Sequence, residues 1–153
     1  MDTVILGRTI VSGGFALWWL LNVLNHFQSM KGTLAAVSAL MEMSALDQEP
    51  PIPTPLKRRR ISSPAVHRFA LVVIVVAQAA LGIMFTVATW LFITADAQRA
   101  TAWAQASLAA SAGLWFLFVI SGTWFAYWLR QDALQRTHLI LLATAMLGML
   151  LMQ

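Results

Sequence analysis

Four long stretches of this chain contain no Asp, Glu, Lys or Arg, and that property limits its fold more than any other. Twenty-two such residues separate Arg8 from Lys31, 27 run from Phe69 to Ala95, 30 from Ala100 to Leu129 and 17 from Thr137 to Gln153. A helix needs about 20 mostly apolar residues, at about 1.5 Å rise each, to cross the hydrocarbon of a bilayer. The first three runs meet that length unaided. The fourth ("LILLATAMLGMLLM") is short but almost wholly apolar, and it can begin at Leu134. Only 10% of the 153 residues are charged and 59% are hydrophobic, whereas soluble domains carry about a quarter charged residues. Such a chain cannot surround an apolar core with a water-facing surface. The fold class is therefore all-α: a four-helix transmembrane bundle forming a single integral membrane domain over residues 1–153. Helices are expected at about 5–29, 65–95, 100–129 and 134–152, with a proline-rich basic loop over 30–64.

Other classes fall away on residue content. Cysteine is absent, so disulfides, thiolate nucleophiles and Cys-bearing metal sites are excluded. The net charge of +4 reads as loop charge facing the cytoplasm and not as a nucleic-acid surface. Four spans place Lys31, Lys57, Arg58, Arg59, Arg60, Arg68, Arg130 and Arg136 on one side, against Arg8 and Arg99 on the other. Eight against two puts the basic loop in the cytoplasm and both termini outside, which in a bacterial inner membrane means the periplasm. Arg8 followed by apolar residues resembles the start of a signal peptide. No small-x-small site closes that run, so it is expected to stay as a helix.

The loop has two parts. "GTLAAVSALMEMSAL" can form a short interfacial helix over 33–46. Pro50, Pro51, Pro53, Pro55 and Pro64 then forbid a continuous helix. Ser63 and Pro64 suit a helix start. A segment of this kind is normally a flexible linker, and order in it would point to a neighbour that holds it.

Several clusters carry polar or aromatic chemistry. Asn22, Asn25 and His26 share one helix face, and amides facing lipid would leave donors unpaired, so this stripe should face another helix. Gln78 lies about ten positions into the second span, roughly 15 Å deep by helix rise, which places it near the midplane. Gly82, Thr86 and Thr89 extend its face, and Ser107, Ser111, Thr144 and Gly148 form similar small faces suited to close helix approach. Trp124, Phe125, Tyr127 and Trp128 end the third span just before Arg130. They read as an interfacial anchor or partner contact, with Trp18, Trp19, Trp90 and Trp103 as further anchors. Lys57, Arg58, Arg59 and Arg60 suit anionic lipid or an acidic partner surface. His26, His67 and His138 sit near basic residues and are expected to be shallow and hydrated. No span holds a charged side chain, which argues against ion-coupled transport. No nucleophile-base pair, phosphate loop or metal-spaced cluster stands out, so no catalytic residue, metal site or enzymatic activity is expected.

Three motifs carry a resemblance. Asn22 and Phe27 close the first helix; Arg60, Ile61, Pro64 and His67 form Arg-hydrophobic-x-x-Pro-x-x-His; Gly122, Trp124, Phe125 and Trp128 form Gly-x-Trp-Phe-x-x-Trp. On these the chain resembles the bacterial predicted small integral membrane proteins grouped as domain of unknown function 2165, as a divergent member. The resemblance covers most of the chain and implies four spans and similar topology. It implies no activity. Where that family usually carries acidic residues, this chain has Gln78 and Thr123, and the aspartate often found near His26 is missing.

The function expected from the sequence is a non-catalytic accessory or scaffold subunit of a larger inner-membrane complex, photosynthetic or respiratory, with membrane lipids and that complex as partners. The alternative is a small carrier or channel, or a quinone- or haem-binding protein, using Asn22, Asn25, His26 and Gln78. No resident cofactor is implied, and contacts with lipid, pigment or quinone stay open.

Overall fold

A computed structural model describes residues 2–94 and 96–153. Each long helix begins where a local signal permits it. Helix α1 (Thr3–Gln28) starts behind Asp2, whose carboxylate accepts the N–H of Val4 at 3.3 Å. Helix α3 (Pro64–Ile93) has Pro64 in its first turn, where a missing N–H leaves nothing unpaired. Helix α4 (Ala97–Trp124) is capped by Asp96 onto the N–H of Arg99. Helix α5 spans Asp132–Leu151. All four are long and apolar enough to cross a membrane.

Between α1 and α3 the chain first forms α2 (Met30–Met41), set off from α1 by a break at Ser29. Two 3₁₀ turns follow, Ser44–Asp47 and Pro55–Arg59. Helix α1 packs on α3, α3 on α4 and α4 on α5, while α2 lies against α3. Helices α1 and α5 complete the ring by facing one another across a groove.

Small hydroxyls sit inside the bundle among large apolar side chains, and its outer faces are apolar. Ser12, Ser107 and Ser111 are fully buried, whereas Leu17, Val76, Ile83, Ile120, Ile140 and Leu147 stand exposed on the outer faces. An apolar surface that continuous on four helices needs lipid around it. Within lipid, helices associate through close packing and not through water exclusion. Gly82 permits that approach: a Cβ there would stand 2.8 Å from Leu20 Cδ2 of α1. Gly148 does the same against Leu108 of α4, at 2.9 Å. The expected small faces hold at these two glycines and at Ser107 and Ser111, but Thr86 and Thr144 are exposed. Both satisfy their hydroxyls on the carbonyl four residues back, so nothing forces them inward.

The third span ends earlier than the expected Leu129. Ala126 adopts φ 54°, a left-handed conformation that stops an α-helix. Glycine usually marks such a stop, and alanine gives no warning of it. The turn buries Phe125 and Ala126 beneath the loop together with Met41, Met43 and Leu46. Phe125 (7% exposed) and Tyr127 (3%) thus face their own chain, which corrects their reading as lipid or partner contacts.

The proline-rich loop is held by the protein itself. Asp47 pairs with Lys57 at 2.7 Å and with Arg60. Arg130 donates to the carbonyls of Gln48 and Pro50. Arg59 lies 4.7 Å above the Trp124 ring and donates to the Trp124 carbonyl. Ile61 N–H donates to Met41 O, and Ile61 O accepts from His67 Nε2 at 2.7 Å. His67, expected to be hydrated, is only 2% exposed because this latch encloses it.

Candidate functional site

Three tryptophans meet in the middle of the bundle. Trp19 of α1 stacks on Trp115 of α4 with centroids 5.3 Å apart and planes 19° from parallel. Trp18 lies 4.6 Å from Trp19 and 5.8 Å from Trp115. Phe15 extends the cluster, stacked 5.1 Å from Phe85 of α3. Such pairs contribute about 0.5–1.5 kcal/mol each beyond simple burial. The expectation that Trp18 and Trp19 anchor at an interface is therefore corrected: they are core. Trp90, Trp103, Trp124 and Trp128 are the exposed ones, the first two near the α3–α4 turn and the others at the loop end.

Against this aromatic wall lies a chamber of about 190 Å³. Asn22 and Gln78 line it from α1 and α3, Phe118 from α4, and His138 and Leu141 from α5. Its polar groups are only partly used. Asn22 Nδ2 donates to its own helix, to Trp18 O at 2.7 Å, which leaves Oδ1 free. Gln78 Oε1 faces His26 Nε2 at 2.8 Å, so its amide N–H groups remain. With Nε2 donating, His26 Nδ1 accepts from Thr33 of α2, 3.3 Å away. Trp19 is fully buried, and among the described residues its indole N–H has no acceptor. Nor, among those residues, does His138 Nδ1 have a partner. Buried polar groups are ordinarily hydrogen-bonded; these two belong to residues that surround the chamber but are themselves closed off from it.

His138 is held from both sides, by Phe118 at 5.1 Å and Tyr127 at 6.2 Å. Tyr127 can reach that position only because Gly122 has no side chain: a Cβ there would stand 2.5 Å from the tyrosine ring. The Gly-x-Trp-Phe-x-x-Trp motif is thus a folding device. Gly122 seats Tyr127, Phe125 enters the loop core and Trp124 lies under Arg59. Arg60, Ile61, Pro64 and His67 form its counterpart across the loop.

The chamber shares Trp18 and Leu141 with the groove between α1 and α5. The groove measures about 430 Å³ and is lined mainly by apolar groups, with Gly14 leaving room in it. Ile10, Leu147 and Leu151 form its exposed rims. Arg8 ties α1 to α5 and α4, with Nε donating to Leu151 O at 3.3 Å and Nη1 to Thr101 Oγ1 at 3.5 Å. These bonds and that of Gln105 to Met152 O satisfy terminal carbonyls of α5. The volumes of 190 and 430 Å³ together fall in the range of about 300–1,000 Å³ common for small-molecule sites.

The structure brings together Asn22, His26 and Gln78 of the expected polar set. Asn25 is exposed and makes no side-chain hydrogen bond among the described residues, because the α1–α3 contact falls on the face carrying His26. Arg58 likewise makes no side-chain bond among those residues, while Lys57, Arg59 and Arg60 are engaged within the loop. Sequence reasoning did not place Trp18, Trp19, Trp115, Phe118 or His138 at a site. A signal existed: Trp18, Trp19 and Trp115 lie inside their spans and not at the ends, where a belt residue belongs. Gln78 also sits differently from its expected depth. It pairs with His26, two positions from the end of α1, so the first turns of α3 run on past that end, where α2 lies against α3.

His26 and His67 each bond protein acceptors, and only His138 of the three lines the chamber. The residues therefore do not supply the facing histidine pair that bis-histidine haem ligation requires. No match is found among curated proteins or among solved structures. A family model described as "Predicted small integral membrane protein (DUF2165)" matches residues 5–153. With four apolar membrane-length helices and a match spanning nearly its whole length, the chain belongs to this family of small integral membrane proteins.

Proposed function

We propose that this protein is a non-catalytic membrane component that holds an amphipathic small molecule inside its bundle. The polar end would sit in the chamber and the apolar tail in the α1–α5 groove. One observation carries this reading: a small cavity lined by Asn22, Gln78 and His138 adjoins an apolar groove with exposed rims, and the two share Trp18 and Leu141 as lining residues. The ligand-binding alternative is thereby favoured over a purely structural role. The accessory-subunit reading keeps separate support from Trp124 and Trp128, which are exposed, and from Arg58, which makes no side-chain bond among the described residues. A holder of an amphiphile within a larger assembly satisfies both. Placement in a bacterial inner membrane, with the loop cytoplasmic and both termini periplasmic, is supported by the eight-to-two bias of basic residues.

The test uses a variant with Trp90, Trp103, Trp124 and Trp128 changed to Phe, which leaves only the three core tryptophans. In nanodiscs, an amphiphile brominated along its tail should quench this residual fluorescence saturably. Gly14→Leu should reduce that quenching, since a Cβ at Gly14 meets nothing within 4 Å and its side chain would occupy the groove. Quenching that rises linearly with amphiphile and ignores Gly14→Leu would show no site.

A further inference from the structure

We propose that the loop end of the protein binds the headgroups of anionic phospholipids, through Arg58 and Arg59 beside Trp124, with Lys31 and Arg68 adding to the same surface. This reading is independent of the chamber and groove.

The charges are distributed unevenly between the two ends. Eight basic residues at the loop end meet four acidic ones, Glu42, Asp47, Glu49 and Asp132, which leaves +4 there, the whole net charge of the chain. At the opposite end Asp2 and Asp96 match Arg8 and Arg99. The fold then sorts the loop-end cations. Asp47 engages Lys57 and Arg60, and Asp132 engages Arg136. Lys31, Arg58 and Arg68 are exposed and make no side-chain bond among the described residues. Arg59 is also exposed, and it donates to a neutral group, the Trp124 carbonyl. A guanidinium carries five N–H donors, so Arg59 keeps others for a ligand. The run Lys57–Arg60 is thus divided: its outer members serve the loop, and its two middle arginines stay exposed without a carboxylate.

The neighbours of these cations select lipid over an acidic protein surface. Trp124 lies 4.7 Å beneath Arg59 and is itself exposed. Met30 precedes Lys31 and Phe69 follows Arg68, and both are exposed. Three of the four cations therefore stand beside a side chain that prefers hydrocarbon. That pairing suits the boundary between headgroups and acyl chains, where tryptophan settles and long basic side chains reach outward. A phospholipid carries both complements in one molecule. Its phosphate accepts paired N–H bonds from arginine, and its acyl chains meet the apolar groups. The four spans already hold this end in the headgroup layer.

Trp124 reports on the surface directly. The full chain is reconstituted in two backgrounds, one with Trp90, Trp103 and Trp128 changed to Phe and one with Trp124 changed as well. The difference in fluorescence between them belongs to Trp124. Bilayers mix phosphatidylcholine with phosphatidylglycerol, one of the two brominated in its acyl chains, so that quenching gives their relative affinity. Phosphatidylglycerol should be preferred, and the preference should shrink as salt rises. Arg58→Gln breaks no side-chain bond and should lower the preference about fivefold. Arg68→Gln and Lys31→Gln should act in the same direction. Arg99→Gln removes an equal charge roughly 37 Å away along α4, beyond the screening length of about 10 Å, and should change nothing.

Exchanging chloride for inorganic phosphate at equal ionic strength separates a lipid from a free anion, and it should leave the quenching unchanged. If phosphate displaces the lipid, the ligand is the free anion and the lipid assignment falls. Equal quenching by the two lipids, or equal responses to Arg58→Gln and Arg99→Gln, would also overturn it and leave the exposed cations to an acidic protein partner.

Discussion

Replacing Gly122 with alanine puts the geometry of the α4 terminus to a quantitative test. A Cβ at this position would stand 2.5, 2.5 and 2.7 Å from Cε1, Cζ and Cε2 of Tyr127. Carbon atoms in contact prefer about 3.5–4.0 Å, so the ring must retreat by about 1 Å. It has little freedom to do so, being 3% exposed with His138 on its other side. Overpacking costs about 1–3 kcal/mol, and three simultaneous overlaps with a rigid ring place this case near the top. Alanine regains about 1 kcal/mol over glycine as a helix former. The net loss is about 2 kcal/mol. Gly113 on the same helix supplies the control, because a Cβ there meets nothing within 4 Å. Gly113→Ala keeps only the favourable part, a gain of about 1 kcal/mol. At about 2–4 °C per kcal/mol for a chain of this size, Gly122→Ala should lower the melting temperature by about 4–8 °C and Gly113→Ala raise it by about 2–4 °C. Thermal unfolding in detergent, followed by circular dichroism, measures both. Adding Tyr127→Ala should abolish the Gly122→Ala penalty, since the two side chains would no longer meet. Equal responses at Gly113 and Gly122, or a penalty that survives removal of the ring, would refute the reasoning.

Tyr127 is the only tyrosine in the chain, so phenolate absorbance reports it alone. Burial raises its folded pKa above the usual 10.0; the stability it contributes is complete below that value and lost as pH rises through the folded one. The absorbance midpoint of the native protein should lie above that of the denatured protein, and coincident midpoints would show that the ring is not enclosed. Asp47 behaves oppositely: its hydrogen bond to Lys57, with help from Arg60, holds its pKa below 3.8. Its pairing is therefore present above that value and lost as pH falls through the lowered one. Asp47→Asn should speed limited tryptic cleavage at Lys57–Arg60, and the protection of loop amides, relative to their intrinsic exchange rate at each pH, should fall as Asp47 is protonated. An unchanged cleavage rate would assign the loop's order to its apolar contacts alone.

Two of the three motifs behind the family resemblance show how residue spacing can carry more than it discloses. Arg60, Ile61, Pro64 and His67 are a latch: Arg60 reaches Asp47, Ile61 uses both backbone groups, Pro64 opens α3 and His67 closes onto Ile61. Gly122, Trp124, Phe125 and Trp128 shape the opposing turn, and Arg59 over Trp124 joins the two. Neither motif lines the chamber. The second acts on it indirectly, because Gly122 positions Tyr127 and Tyr127 borders His138.

From the order of residues alone came the membrane as solvent, the number of spans, and the presence of Asn22, His26 and Gln78 among the polar groups the spans must satisfy. These follow from requirements that act locally: each window of about 20 residues is either apolar enough for hydrocarbon or it is not, and charge runs are visible wherever they fall. Tertiary structure alone decided which faces meet. Trp18 and Trp19 come from α1 and Trp115 from α4, so no local pattern could show that they form one wall. Gln78 looked deep when counted along its own helix, yet it pairs with the end of α1, because depth depends on how helices are offset and not on position within one. The stop at Ala126 was equally hidden, since alanine does not favour the left-handed turn it adopts where it is buried beneath the loop. Contacts between distant segments set all three, and pairwise packing of whole helices leaves no periodic trace in the chain.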